Sequence, residues 1–378
     1  MLVKLIEVPV PSKNHPGYTI FVKSHLCKLI AVLLLLLMLS SSNVNNSASE
    51  TIFPLINNYG SSTINISSQK NHHQQHSQQH SQQPQSQPQP PQQQQQHQQE
   101  QQLQHHQDHQ QLCPLIPPKL VGRLKVMTEI KDWTELEDEL PNIEPGGCFH
   151  VKNCTARQKV AIIVPYRDRE LHLRILIHNL HPMLQRQQID YCIFIIEQMK
   201  DTRFNRAKLF NIGFVEASKQ QDYDCFIFHD VDLVPEDDRN LYRCAEQPRH
   251  MSVAINTMKY KLPYNGIFGG VSALSKSQMN VLNGFSNEYW GWGGEDDDMS
   301  HRISFHGFRI TRYPETIARY SMLRHRKETP NPDRYKKLYS AKRRFRTDGL
   351  SSLKYKKLDT IYQKLYTWIL VDALQPKK

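Results

Sequence analysis

DCFIFHDVDLVP, residues 224–235, is the stretch on which the reading of the fold turns. An apolar run, CFIF, leads directly into two carboxylates, Asp230 and Asp232, one residue apart. Apolar runs without polar alternation read as strands buried on both faces, which belong to parallel sheets covered by helices. Two more such runs lie upstream: KVAIIV at 159–164 and DYCIFII at 190–196. Between them, residues 170–185 place Leu171, Leu173, Ile175, Leu176, Leu180 and Leu184 at helical spacing. Residues 205–218 do the same with Leu209, Ile212 and Val215. Buried strands alternating with helices predict right-handed βαβ units in a Rossmann-like α/β sheet. Ligands bind such sheets off the carboxyl ends of the strands. Both Asp230-Val231-Asp232 and Pro165-Tyr166-Arg167-Asp168-Arg169 fall at such ends. No GxGxxG follows the first strand, which excludes a dinucleotide oxidoreductase.

Residues 1–112 are a different kind of polymer. Leu29–Leu39 (LIAVLLLLLML) is uninterrupted and apolar, preceded by Lys23 and Lys28 and followed by serines. Eleven helical residues rise about 16 Å, short of a ~30 Å bilayer core. With Leu26, Cys27 and the serines, the run makes a short span, and no small-x-small cleavage site follows it. The expectation is a cytoplasmic tail at 1–25, a signal-anchor at 26–44, a disordered Gln/His-rich lumenal stem at 45–112 and a globular domain at 113–378. The sequons at Asn45 and Asn65 accord with a lumenal stem. Multi-span membrane proteins, collagen and coiled coils are excluded.

The net charge of +11 is concentrated. Ten basic side chains between Arg324 and Arg346 face only Glu328 and Asp333. One basic segment on a near-neutral domain is not a nucleic-acid surface, and no nucleic-acid partner is expected. None of the seven cysteines forms a Cys-x-x-Cys pair, which argues against zinc. In an oxidising lumen some should pair. Cys192, inside an apolar run, reads as a buried thiol.

Two constellations carry chemistry. Asp230 and Asp232, just past a buried strand, can point to one side and hold a divalent cation that bridges the diphosphate of a nucleotide-sugar. YWGWGGEDDD, residues 289–298, alternates Trp and Gly and then places four carboxylates at a helix start. The tryptophans suit sugar stacking, and crowded carboxylates raise one another's pKa, as a general base requires.

As a set, PYRDRE (165–170), FNRAKLFNIGF (204–214), DVDLVP (230–235), FGGVSALS (268–275), GWGGEDDD (291–298) and MLRH (322–325) resemble the β-1,4-galactosyltransferase family over about residues 113–370. The resemblance implies a GT-A fold, with a Rossmann-like and mostly parallel central sheet. It places Pro165, Arg167, Arg169, Phe204, Arg206, Asp230 and Val231 at the nucleotide, and Trp292 and Glu295 at the sugars. Asp296 is the implied base, and Asp232, Met322 and His325 are the implied Mn²⁺ ligands. Met322 is an unusual partner for a hard cation, and His325 at i+3 shares a face with it if the turn is helical. Acceptor and specificity positions are Tyr264, Ile267, Gly270, Asp297, Arg334 and Tyr335, with Leu338 beside them. The implied disulfides are Cys113–Cys154 and Cys225–Cys244, which leave Cys148 unplaced.

Ile267 stands where vertebrate galactosyltransferases of this family carry Tyr. A smaller aliphatic residue there is the family feature associated with N-acetylgalactosamine transfer, since it leaves room and an apolar wall for the N-acetyl methyl. The resemblance therefore implies a Golgi type II enzyme using UDP-GalNAc and a GlcNAc-terminated glycolipid or glycoprotein acceptor, with an accessory protein left open. Two alternatives stand: a galactosyltransferase using UDP-Gal, and an inactive Golgi sugar-binding or chaperone-like protein.

Overall fold

The computed structural model describes residues 111–326 and 328–376. The expected tail and anchor, and the expected stem up to residue 110 with both its sequons, lie outside the described residues. Among those described, no helix is long and apolar enough to cross a membrane.

The chain runs α1 (Trp133–Glu139), β1 (Cys148–Phe149), β2 (Lys159–Tyr166), α2 (Glu170–Arg186), β3 (Asp190–Gln198), α3 (Arg206–Gln220), β4 (Cys225–His229) and β5 (Leu233–Pro235). It continues through β6 (Arg249–His250), β7 (Ala254–Ile255), β8 (Val271–Ser275), α4 (Lys276–Val281), α5 (Glu295–Phe305), β9 (Arg319–Met322), α6 (Arg334–Tyr339), β10 (Lys356–Tyr362) and β11 (Thr367–Asp372). The three buried strands and two helices read from the apolar pattern are β2, β3, β4, α2 and α3. Their apolarity on both faces has a direct cause. Val160, Ile162 and Val164 pack into a core with Leu176, Leu180 and Leu184 of α2. Ala161 and Ile163 pack into a second core with Leu209, Phe210 and Ile212 of α3. Each strand thus serves two layers, so polar residues have no face to occupy.

The central sheet runs β10-β11-β3-β2-β4-β8-β6, with β1 added beside β3. It is mixed rather than mostly parallel. The pairs β11·β3, β3·β2 and β2·β4 are parallel, whereas β4·β8, β8·β6, β10·β11 and β1·β3 are antiparallel. The extra strands are short or come late in the chain, where no βαβ pattern announces them. A separate small sheet, β5-β9-β7, lies beyond the carboxyl end of β4. From β2 the chain pairs β3 on one side and later β4 on the other, so the order reverses between them. That reversal is where an α/β sheet opens a crevice for ligand.

Three disulfides close the domain: Cys113–Cys154, Cys225–Cys244 and Cys148–Cys192. The third corrects the reading of Cys192 as a free thiol. β1 pairs antiparallel with β3 so that Cys148 stands opposite Cys192, a non-local register that the sequence does not display.

Helix α3 starts on Asn205, whose side chain accepts from the Lys208 amide at 3.0 Å. It can approach the sheet because Gly213 faces it. A Cβ at 213 would lie 2.2 Å from Ile163 Cγ2 and 3.0 Å from Ile196 Cγ1. Gly213→Ala should therefore push α3 off β2 and β3, costing about 1–3 kcal/mol. Thermal melts of the two proteins should differ by several degrees, and equal Tm values would show that the contact yields freely.

Candidate active site

The loop after β4 carries both aspartates. Leu233 N–H donates to Asp230 C=O at 3.3 Å and closes the turn, and Asp230 N–H donates to Gly270 C=O at 3.2 Å. The next three residues, β5, pair antiparallel with β9 so that Leu233 stands opposite Met322. Leu323 N–H donates to Asp232 C=O at 2.7 Å. This pairing brings residues ninety positions apart in the chain side by side. His325 then turns back, and its Nε2 lies 2.9 Å from Asp232 Oδ2. Met322 ends a strand and His325 follows in a segment that is not helical. Strand pairing sets Met322 beside the Asp232 loop, and the helical i+3 face considered from sequence does not form.

Several supporting residues carried no sequence signal, because each reaches the site across the fold. Asn256 Oδ1 accepts from Met322 N–H at 2.9 Å, and Thr257 Oγ1 lies 3.4 Å from the thioether sulfur. His172, on α2, has its Nε2 3.2 Å from Arg324 C=O and its ring edge-on to His325.

Arg206 is the cation at the centre. Its Nε donates to Asp230 Oδ1 at 2.5 Å, Nη2 donates to Gly270 C=O at 3.2 Å, and Nη1 lies 3.5 Å from Glu295 Oε1. The guanidinium stacks 4.5 Å from the Phe210 ring centroid. Burial works against its charge, but Asp230 and Glu295 hold it firmly protonated. The carboxyls of Asp230 and Asp232 are shifted upward by burial, against the pull of Arg206 on the first and His325 on the second. At the end of β2, Arg167 donates to Thr202 C=O at 2.7 Å and stacks 5.2 Å from the Phe204 centroid. Arg169 lies beside it, partly exposed, with Pro165 and Val231 buried behind.

The acidic run begins α5. Gly293 and Gly294 precede it with φ of 104° and 95°, backbone that favours glycine. The four carboxylates then divide. Asp298 is buried, receives Arg302 Nε at 2.7 Å and Tyr289 Oη at 3.0 Å, and serves the interior. Asp297 accepts from Tyr264 Oη at 2.7 Å on the rim. Glu295 and Asp296 face Arg206 and the segment at Gly269. A Cβ at Gly269 would lie 2.4 Å from Asp296 Oδ2, so the backbone there passes directly over the carboxylate. Burial first, then Asp297, raises Asp296. Burial first, then Asp296, pushes Glu295 up to about 7. Glu295 Oε2 is buried with no partner, an acceptor waiting for a donor.

The tryptophans divide as well. Trp290 is buried beneath Lys208, whereas Trp292 is 57% exposed above the site. Tyr335 is 56% exposed and stacks on Arg334, which itself packs over Gly293. Ile267 is buried two residues before Gly269, and its carbonyl accepts from Arg312 Nη2 at 2.8 Å.

Among the described residues, no group of three or more His, Cys, Asp and Glu side chains gathers as a metal cluster. The candidate set is one carboxylate, one imidazole and one thioether, with the Asp232 and His325 donor atoms converging at 2.9 Å. Oxygen and nitrogen donors from two elements fit a divalent cation that keeps open positions for substrate oxygens, with sulfur as a weak third partner.

Comparison with known proteins gives a consistent result. Residues 113–245 match the N-terminal region of glycosyl transferase group 7, and residues 249–326 match the N-terminal domain of galactosyltransferase. Mouse β-1,4-galactosyltransferase 2 is 49% identical over 269 residues, 70% of this chain and 73% of the relative. Human β-1,4-galactosyltransferase 1 is 48% identical over 268 residues, 70% of this chain and 67% of the relative. The catalytic domain of Drosophila β-1,4-galactosyltransferase 7 in complex with xylobiose superposes with a TM-score of 0.51 at 31% identity, covering 58% of this chain and 95% of that one. A mutant of that enzyme, solved with manganese, UDP-Gal and xylobiose, gives 0.50 at 30% identity over the same shares.

The raised Glu295 carboxyl sets a sign for stability. Its folded pKa, about 7, lies above the ordinary value of 4.5, so the folded state holds its proton longer than the unfolded chain does. Stability is therefore lost as pH rises from about 4.5 to 7 and stays lost above that. Glu295→Gln should raise the Tm of the metal-free protein at pH 8 and change it little at pH 4. Equal shifts at both pH values would deny the buried charge its cost.

Proposed function

The chain belongs to the β-1,4-galactosyltransferase family, a glycosyltransferase family, and from that premise we propose that it transfers N-acetylgalactosamine from UDP-GalNAc to the 4-hydroxyl of a terminal GlcNAc with inversion. The observation that carries the donor assignment is Ile267, an aliphatic side chain on the segment whose backbone passes over Asp296. A tyrosine there would bring a ring and a hydroxyl towards the sugar. An isoleucine leaves volume and an apolar wall for an acetamido methyl.

Asp296 is the general base, taking the proton from the acceptor hydroxyl. Its raised pKa suits the task, because a base works best when its pKa approaches the working pH. Glu295 Oε2, buried without a partner, accepts from a sugar hydroxyl and so orients it. Trp292 and Tyr335 offer faces for the acceptor ring, and Arg167 and Arg169 lie where the nucleotide diphosphate would run. Asp232 and His325, with Met322, would hold Mn²⁺. When bound, that ion offsets the negative charge of the leaving diphosphate. Neighbouring bases and a fixed acceptor hydroxyl make direct displacement the economical route, with no covalent intermediate.

A second reading, galactose transfer from UDP-Gal, is favoured by the names of the relatives. A single pocket group typically shifts discrimination by about 1–3 kcal/mol, so some galactose transfer accompanies the proposed activity. The three disulfides support an oxidising compartment, and with the leucine run the reading is a type II protein of the Golgi membrane. A GlcNAc-terminated glycolipid or glycoprotein is the proposed acceptor.

The donor assignment is checked by competing UDP-GalNAc against UDP-Gal on a GlcNAc-terminated acceptor. Wild type should prefer UDP-GalNAc, and Ile267→Tyr should swing the kcat/KM ratio towards UDP-Gal by about 10-fold or more. An unchanged ratio would remove the specificity argument. Asp296→Asn should lower kcat by a factor of about 10² or more while donor Kd moves little. Parallel losses in both would make Asp296 structural.

A further inference from the structure

We propose that His229, Tyr242 and Tyr320 form a buried, one-way hydrogen-bond relay that positions the Asp230–Leu233 turn, and with it Asp232 and Met322, from behind the site. The proposal rests on reading Asp232, His325 and Met322 as metal ligands. It adds positioning residues that touch neither metal nor sugar.

The relay is continuous and dry. His229 Nδ1 lies 2.9 Å from Asp230 C=O, and His229 Nε2 lies 2.9 Å from Tyr242 Oη. Tyr242 Oη lies 3.0 Å from Tyr320 Oη, and Asn240 Nδ2 lies 3.2 Å from Tyr320 Oη. All four side chains have zero exposure.

Its direction follows from the carbonyl end. A carbonyl oxygen only accepts, so His229 Nδ1 carries the proton and donates to Asp230 C=O. In a neutral imidazole Nε2 must then accept, so Tyr242 Oη donates to it. Having spent its only proton, Tyr242 accepts from Tyr320. Tyr320 in turn accepts from Asn240, whose amide nitrogen is fixed by a second bond to Met251 C=O at 3.2 Å. Burial keeps the His229 ring neutral, so the carbonyl end sets the direction of the whole chain, and the Asn240 end is compatible with it.

The placement gives the relay its purpose. Asp230 C=O also receives Leu233 N–H, so His229 supplies the second bond at the oxygen that closes the aspartate turn. At the other end, Tyr320 lies on β9 two residues before Met322 and opposite Pro235 of β5. The relay therefore ties the strand that delivers Asp232 to the strand that delivers Met322, and fixes one imidazole tautomer. Outer partners that fix ligand orientation typically change metal affinity about 10–100-fold when removed.

The two tyrosines make unequal predictions, which a purely structural role would not. Tyr242→Phe removes the donor to His229 Nε2 and frees the ring to exchange tautomers or turn. Tyr320→Phe removes the same buried contact between hydroxyls but leaves Tyr242 with its own proton for His229. Mn²⁺ affinity is read from the electron paramagnetic resonance signal of free Mn²⁺ titrated against the full-length chain, with Tm of the metal-free protein measured alongside. Tyr242→Phe should weaken Mn²⁺ binding about tenfold or more, and Tyr320→Phe about threefold or less, with similar falls in Tm. Equal losses in the two variants, or none in Tyr242→Phe, overturn the relay. Asp232→Asn is the control. If it abolishes Mn²⁺ binding while Tyr242→Phe does not weaken it, the relay alone is wrong; if it binds Mn²⁺ as wild type does, the metal reading falls and the relay falls with it.

Discussion

One guanidinium lets this site exist. Asp230, Asp232, Glu295 and Asp296 converge at the carboxyl end of the sheet, Glu295 buried and the other three half-buried, and burial shifts all four carboxyls upward. Buried like charges raise one another's pKa and destabilise the fold unless a cation lies between them. Arg206 is that cation, bound to Asp230 and close to Glu295. It is the first residue of α3, a helix seated closely on the sheet through Gly213, so its position is inherited from the core. The compensation is incomplete, and the residual strain is what chemistry uses. Carboxyls left above their usual range are suited to taking a proton, and an unpaired Glu295 oxygen is suited to taking a hydroxyl.

In the proposed function, binding and catalysis divide around that centre by secondary structure. The end of β2 and the start of α3 present Arg167, Arg169, Phe204 and Arg206. The loop beyond β4 and the small sheet present Asp232, Met322 and His325. The first turn of α5 presents Glu295 and Asp296, with Asp297 on the rim and Asp298 anchored inward on Arg302. Four adjacent carboxylates thus have separate environments, because successive helical residues point about 100° apart.

The elements that were legible in the sequence are those with local causes. β2, β3 and β4 announce themselves because both faces are apolar, α2 and α3 by their helical spacing, and the aspartates by their position just past a buried strand. What could not be read depends on pairings distant in sequence. Cys192 looked like a core thiol because nothing near it indicates that β1 brings Cys148 opposite. Met322 and His325 invite a helical reading, but β5·β9 pairing unites them with Asp232. The acidic run looked like one functional unit, yet Asp298 is committed to Arg302, a buried partner that spacing alone does not distinguish. The antiparallel additions that make the sheet mixed are likewise invisible to a βαβ pattern.

The central proposal is that Asp232 and His325 hold a divalent cation. The direct measurement is anomalous scattering at the manganese edge from crystals grown with Mn²⁺ and UDP. The account predicts one strong peak within coordination distance of the Asp232 carboxylate and the His325 imidazole, roughly 2.0–2.3 Å from each donor. A peak beside residues 295–298 instead, or none within reach of Asp232, would contradict it.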